Sequence, residues 1–201
     1  MSNSWLFWSM VLVAYLIGNI SPSILLAKAR GIDIKKEGSG NAGTTNALRV
    51  MGKKAGVITL VIDVLKGVAA VLLGAFICGP QCSMFCAVAV MFGHIWPVLY
   101  RFKGGKGVAT AFGALMGLNP WLGLSALGVV IICVLISKRM SVGSVLGALS
   151  FPLLCFFLER EFLPLGCVLA VIIIVKHRAN IVRLFRGEEP KLTIFNKEKK
   201  Q

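Results

Sequence analysis

GVATAFGALMGLNPWLGLSALGVVIICVLIS, residues 107–137, is too long for one comfortable membrane span and rather short for two. A bilayer core takes about 20 apolar residues in a helix. Asn119-Pro120 settles the count, because proline brings no N–H and biases the residue before it away from helix. One helix is expected to end near Leu118 and another to run from about Trp121 to Ile136. Outward from this stretch, apolar runs at about 5–27, 55–77 and 83–98 precede it, and runs at about 142–158 and 162–175 follow. Trp96 and Tyr100 close the third run, as aromatics do at a membrane interface. Gly18, Ser21 and Pro22 predict close packing or a kink in the first.

These runs amount to an all-α integral membrane protein with seven transmembrane helices in one multi-pass domain over 1–201. Charge orients it. With the N-terminus outside and the C-terminus cytoplasmic, the basic stretches 28–54, 101–106, 138–139 and 176–200 share the cytoplasmic side. They hold all but two of the 22 Lys and Arg residues; the exceptions are Arg160, outside, and Lys66, within a span. Six spans would put the basic stretches on opposite sides. Composition agrees, since 15% charged residues fall well below the soluble average of about 25%. The net charge of +14 is read as affinity for anionic lipid and phosphate at the bilayer surface rather than for nucleic acid. Residues 1–10 carry no basic stretch of the signal-peptide kind, so the first span is expected to be retained. The six cysteines lie in or beside apolar runs without paired metal-ligand spacing, and only a local Cys78–Cys82 disulfide stays open.

Three polar junctions carry the chemistry. EGSGNAGTTNALR, 37–49, is too polar and glycine-rich for a core segment. Gly38, Gly40 and Gly43 let backbone N–H groups turn into one concavity, Ser39, Asn41, Thr44, Thr45 and Asn46 add side-chain donors, and Arg49 adds a phosphate-binding fork. The competing reading is a flexible linker. In the second, HIWPVLYRFKGGKGVAT, 94–110, Gly104, Gly105 and Gly107 around Lys106 and beside Lys103 are expected to offer N–H groups and an ammonium at a helix start. A purely positive-inside anchor would explain the charges but not the glycines. The spacing is not that of a nucleotide P-loop. The third, HRANIVRLFRGEE, 177–189, puts His177, Asn180 and Leu184 on one helical face with Arg183 near and Gly187 as a stop.

Asp63 and Lys66, three apart inside a span, are expected to pair, either to stabilise the bundle or to position these loops. Several enzyme plans are excluded. Leu99 and Val182 stand where an H-x-x-x-x-D acyltransferase box needs aspartate, no G-x-S-x-G elbow occurs, and two aspartates are too few for a multi-aspartate magnesium site. No metal and no cofactor are expected.

The chain resembles the bacterial acyl-phosphate:glycerol-3-phosphate acyltransferases, the PlsY family. The likeness rests on GSGNAGTTNALR (38–49), DVLKG (63–67), GHIWP (93–97), FKGGKGVAT (102–110) and HRANIVRLFRGEE (177–189), in order along nearly the whole chain. It implies a seven-helix fold with these motifs on the cytosolic side of the bacterial plasma (inner) membrane. It also implies transfer of an acyl group from acyl phosphate to the 1-hydroxyl of sn-glycerol 3-phosphate, giving lysophosphatidate and phosphate in phospholipid synthesis. By motif match Ser39, Asn41, Thr44, Asn46, Arg49 and Lys106 would bind phosphate, His177 and Asn180 would orient substrate, and Glu189 would close the third motif. Ser141 or Ser144 would line the site. Partners implied are the two substrates, the lipid bilayer and a soluble acyl-phosphate synthase. A transporter of phosphorylated metabolites is the alternative from another class, and a basic membrane scaffold ranks below it. No inverted repeat is visible to favour transport.

Overall fold

The computed structural model describes residues 4–192, all of its regular structure helical. Two compact units divide it, one ending at Gly123 and the other starting at Leu124.

The first unit begins with α1 (Ser4–Gly18) and α2 (Pro22–Lys28), together one apolar span. The break between them follows from Pro22, which has no N–H to continue α1 and holds Ser21 extended at φ −115°. A short α3 (Thr44–Met51) turns at Gly52, φ +85°, into the long α4 (Lys53–Cys78). Next come α5 (Pro80–Ile95), a 3-10 turn (Val98–Tyr100) and α6 (Val108–Leu118). Backbone meets backbone at two crossings. A Cβ on Gly93 would collide with the Tyr15 carbonyl, and one on Gly113 with the Val64 carbonyl, so α1 lies against α5 and α4 against α6. Tyr15 Oη donates to the Trp96 carbonyl at 2.8 Å and accepts from Val98 N–H at 3.2 Å, pinning the α5 exit to α1.

α6 ends where the proline rule puts it. Asn119 Oδ1 accepts from the N–H groups of Trp121 and Leu122 at 3.0 and 3.1 Å, capping α7 (Pro120–Ser137). In the second unit α8 (Met140–Leu158) packs on α7 through Gly143, whose Cβ would lie 2.7 Å from the Val130 carbonyl oxygen. A 3-10 turn (Arg160–Phe162), α9 (Leu163–Lys176) and α10 (Arg178–Phe185) complete it. α9 and α10 bend by 60° at His177, so the third junction is an elbow with His177 at the bend.

Five helical segments are long and apolar enough to cross a membrane: Ser4–Lys28, Lys53–Cys78, Pro80–Tyr100, Pro120–Ser137 and Met140–Leu158. The bent pair Arg160–Lys176 and Arg178–Phe185 makes a sixth if taken as one span. Val108–Leu118, at 11 residues, reaches about 16 Å against a hydrocarbon core of about 30 Å. The described helices therefore supply five or six of the seven crossings expected. All six cysteines are free thiols.

Candidate active site

Two clusters hold the expected residues, one in each unit. In the first, residues 29–43 form a loop fastened from inside by Asn46, which is 1% exposed. Its Oδ1 accepts from Ser39 N–H at 2.8 Å, and its amide donates to the carbonyls of Ile34 at 3.3 Å and Glu37 at 3.0 Å. An amide has only two hydrogens, and both are used. Asn46 was expected to bind phosphate; here its side chain holds the loop's shape instead. Gly38 and Gly40 take left-handed φ of 58° and 68°, and a Cβ on Gly38 would collide with Asn46 Oδ1. The same Cβ would lie 3.4 Å from Arg49 Cδ, so the Arg49 stem runs along this turn.

α3 starts after Gly43 with no side-chain cap, so the N–H groups of Thr44, Thr45 and Asn46 precede the first intrahelical bond, Ala47 N–H to the Gly43 carbonyl. Thr44 Oγ1 is buried beside them without a hydrogen-bond partner among the described residues. Asn41 and Ser39 lie on the preceding turn, where Asn41 gives its carbonyl to Gly43 N–H at 3.0 Å. Beneath the loop Ile24, Ala27, Ile34, Ala42 and Ala47 pack into a small apolar core.

The glycine loop after α5 folds back on that helix. Gly105 N–H donates to the His94 carbonyl at 3.1 Å and Gly104 N–H to the Ile95 carbonyl at 3.2 Å. This corrects the expectation that Gly104 and Gly105 present N–H groups to phosphate, since α5 has taken both. These glycines serve close approach: a Cβ on Gly104 would strike the His94 carbonyl, and one on Gly105 would strike His94 Nε2 and lie 2.9 Å from the Ala42 carbonyl oxygen. The two loops thus meet backbone to backbone. Gly107, φ +86°, starts α6, with half-buried Lys106 before it and, one turn on, the fully buried hydroxyl of Thr110, which has no hydrogen-bond partner among the described residues. Arg101 and Phe102 both adopt left-handed φ, 57° and 59°, a strained pair that turns the chain into this loop.

Around the rim, Lys35 Nζ donates to the Tyr100 carbonyl at 3.0 Å. Burial pushes its ammonium below the ordinary value; Asp33 opposes the shift, while Lys103, Lys28 and Arg101 reinforce it. Cations crowded this closely favour an arriving anion.

The second cluster is organised by Glu189. Its carboxylate accepts from Asn180 Nδ2 at 2.6 Å and Arg183 Nε at 2.7 Å, and its carbonyl accepts from Arg139 Nε at 2.8 Å. Burial alone would raise this carboxyl. The hydrogen bonds from Asn180 and Arg183, with Ser141 adding to them and the guanidinium charge, outweigh it and hold Glu189 below its ordinary value. The Ser141 hydroxyl approaches without completing a well-aligned bond. Ser144 donates to the Met140 carbonyl of its own helix at 3.0 Å, so of the two serines Ser141 is the one with an uncommitted hydroxyl. Glu189 was expected to close the third motif at the site. A depressed, acceptor-only carboxylate repels phosphate, and the structure gives it the task of aligning Asn180 and Arg183. His177 Nδ1 lies 2.8 Å from the Ile173 carbonyl oxygen; a carbonyl only accepts, so Nδ1 carries a proton. Gly187, φ +73°, ends the segment with Gly187 N–H to the Leu184 carbonyl at 3.1 Å and Glu188 N–H to the Arg183 carbonyl at 2.8 Å, a Schellman closure.

The sequence reading quoted His94 within a motif but assigned it no role. Its ring lies at Asp63 and Lys66, the charge pair that the sequence places inside a span. Among the described residues no group of three His, Cys, Asp or Glu side chains is arranged to hold a metal.

A protein-family profile described as Glycerol-3-phosphate acyltransferase matches residues 8–187. A glycerol-3-phosphate acyltransferase of Thermoanaerobacter pseudethanolicus is 45% identical over 184 residues, covering 90% of this chain and 93% of the relative. One from Clostridioides difficile is 44% identical over 191 residues, covering 90% and 92%. Two crystal structures of PlsY, an integral membrane glycerol 3-phosphate acyltransferase, in glycerol 3-phosphate and lysophosphatidic acid forms, superpose with TM-scores of 0.88 and 0.85. Each is 35% identical and matches 92% of this chain and 94% of its own.

Proposed function

The chain belongs to the glycerol-3-phosphate acyltransferase family, as an enzyme of the PlsY type, and from that premise we propose that its acyl donor is an acyl phosphate. The 1-hydroxyl oxygen of glycerol 3-phosphate attacks the acyl carbon, the ester C–O bond forms, and the bond to the phosphate oxygen breaks. The hydroxyl proton passes to a substrate phosphate, leaving lysophosphatidate and inorganic phosphate. An acyl phosphate is a mixed anhydride with a good leaving group, so no protein nucleophile is needed. Alignment of the hydroxyl is worth roughly 7–11 kcal/mol of barrier, and fixed donors stabilise the charge that develops.

One observation carries the phosphate-binding part of this reading: the uncapped start of α3 with the buried, unpartnered Thr44 hydroxyl. Ser39, Asn41, Thr45, Arg49, Lys103 and Lys106 supply the remaining donors and charge, on the loop shape held by Gly38, Gly40, Gly43, Asn46, Gly104, Gly105 and Gly107. In the other unit His177, Asn180, Arg183 and Ser141 contact substrate, with His177 supporting rather than serving as the base. Restoration of a dead His177→Ala enzyme by exogenous imidazole would make histidine the base instead.

The chain crosses the bacterial plasma membrane seven times, N-terminus outside, as one catalytic domain with its site on the cytoplasmic face, where a soluble acyl-phosphate synthase can deliver donor. Charge bias supports this. The short α6 is compatible with a crossing because Gly105 and Gly107 before it are buried in protein, where irregular backbone is tolerated at membrane depth. A cysteine at 138 labelled from outside the cell would overturn that topology.

The deciding experiment gives purified protein labelled glycerol 3-phosphate with palmitoyl phosphate or palmitoyl-CoA, with Lys106→Ala as control. Lysophosphatidate from palmitoyl phosphate alone, lost in the variant, is the expected result. Product from palmitoyl-CoA refutes the donor, and no product from either redirects the reading to transport.

A further inference from the structure

Asp63, Lys66 and His94 are 1%, 5% and 6% exposed, and none of them has a part in the chemistry proposed above. Lys66 Nζ lies 2.7 Å from the Ile20 carbonyl oxygen, 2.7 Å from Asp63 Oδ1 and 2.8 Å from His94 Nδ1. The ammonium of Lys66, paired with Asp63, has no lone pair, so in its 2.8 Å contact it can only donate and His94 Nδ1 accepts. The neutral ring must then carry its proton on Nε2. Asp63 Oδ1 lies 2.7 Å from Lys66 Nζ and 3.3 Å from His94 Nδ1, an ion-pair contact without a well-aligned hydrogen bond to either.

The Nε2 edge faces the loops. Gly105 is packed so closely on it that a Cβ there would collide with Nε2, and the same Cβ would lie 2.9 Å from the Ala42 carbonyl oxygen. His94 also gives its own carbonyl to Gly105 N–H. One imidazole therefore touches the buried charge pair with one nitrogen and the junction of both phosphate loops with the other. The Ile20 carbonyl that completes the Lys66 shell lies in the break between α1 and α2, so the cluster is referenced to three helices.

Resting on the acyltransferase reading, we propose that His94 is a positioning residue: Lys66, fixed by Asp63 and the Ile20 carbonyl, locks its ring so that the Nε2–H edge sets the spacing of the Ala42–Thr44 and Gly104–Lys106 segments. Lys106 and Thr44 are then held at a fixed separation. A pair serving bundle stability alone would need neither a histidine beneath it nor a loop glycine against that ring.

Two substitutions separate these roles, because glutamine mimics the Nε2 position of histidine and asparagine mimics Nδ1. His94→Gln keeps a donor toward the loops and loses the Lys66 acceptor; His94→Asn does the reverse. The proposal expects His94→Asn to lose about ten- to a hundredfold in kcat, the scale of an ångström-level misplacement, while melting close to wild type. His94→Gln should retain most of the activity despite a lower melting temperature. Asparagine as active as glutamine, or more so, would show that His94 serves Lys66 only and overturn the proposal. A second measurement needs no stable His94 variant. The chain has two histidines, so the 15N-histidine spectrum of wild type contains two rings, and His177→Ala identifies them. His94 is expected with its proton on Nε2 and His177 with one on Nδ1; a His94 protonated on Nδ1 refutes the proposal whatever the activities. If wild type makes no lysophosphatidate from either donor, the functional reading fails, and with it the proposal, even where the tautomer is as expected.

Discussion

Replacing Glu189 by alanine removes the acceptor on which the C-terminal elbow is built. Asn180, 6% exposed, loses a 2.6 Å bond to a carboxylate; a buried charged hydrogen bond of this kind is worth about 1.5–3 kcal/mol. Arg183, whose side chain is 35% exposed, regains water, so its 2.7 Å bond counts at no more than about 1 kcal/mol. Together the loss is roughly 2–4 kcal/mol, borne locally by the segment after His177. Amide hydrogen exchange at Gly187 and Glu188, whose N–H groups close the Schellman turn, should accelerate by about 30- to several-hundredfold in Glu189→Ala. The kcat/KM for glycerol 3-phosphate should fall with it, because Asn180 loses its orientation. The effect has a pH signature. The folded carboxyl is depressed below its ordinary 4.5, so its stabilisation is fully present above about pH 4.5 and is lost as pH falls through the folded value. The exchange gap between wild type and variant should therefore be constant at neutral pH and close on acidification. Exchange within about threefold of wild type at pH 7, or a gap that widens on acidification, would refute the assignment of Glu189 as the organiser of this cluster.

Four further outcomes follow from the geometry. Thr44→Val should raise KM for glycerol 3-phosphate by roughly ten- to a hundredfold, the value of one hydrogen bond to a charged group, while Thr44→Ser stays near wild type. Asn46→Asp keeps the acceptor for Ser39 N–H but places a carboxylate against the Ile34 and Glu37 carbonyls, so it should expose residues 35–43 to protease and abolish activity; a pure KM effect with a resistant loop would return Asn46 to direct phosphate binding. Gly93→Ala should cost at least about 1–3 kcal/mol by forcing α1 from α5, read as a lower melting temperature in detergent. Gly128→Ala, with no atom within 4 Å of the added Cβ, should melt at or above wild type.

Much of the architecture was legible because its causes are local. Apolar run length, the donor that Pro120 lacks and the turn chemistry of Gly187 act within a few residues, so helix positions and the break at Asn119 follow from the chain alone. The three polar junctions were legible for the same reason: segments that cannot bury apolar area must do something else. The crossing count was less so, because an 11-residue helix meets the length criterion only through what surrounds it.

The division of labour within the junctions was decided by tertiary structure. Nothing local distinguishes Asn46, which holds a loop, from Asn41 beside it; the difference lies in the Ile34 and Glu37 carbonyls that reach Asn46 through the fold. Gly104 and Gly105 read as anion donors until α5 presents carbonyls that consume their N–H groups. Glu189 reads as part of a binding motif until the chain closes on Asn180 and Arg183 and makes it an organiser. The Asp63 and Lys66 pair was visible at helical spacing, but its third member, 28 residues beyond Lys66, was not. A side chain announces its type in the sequence, whereas hydrogen-bond partners and excluded water are set by distance in space, and these decide whether the same residue binds a ligand or holds the protein that binds it.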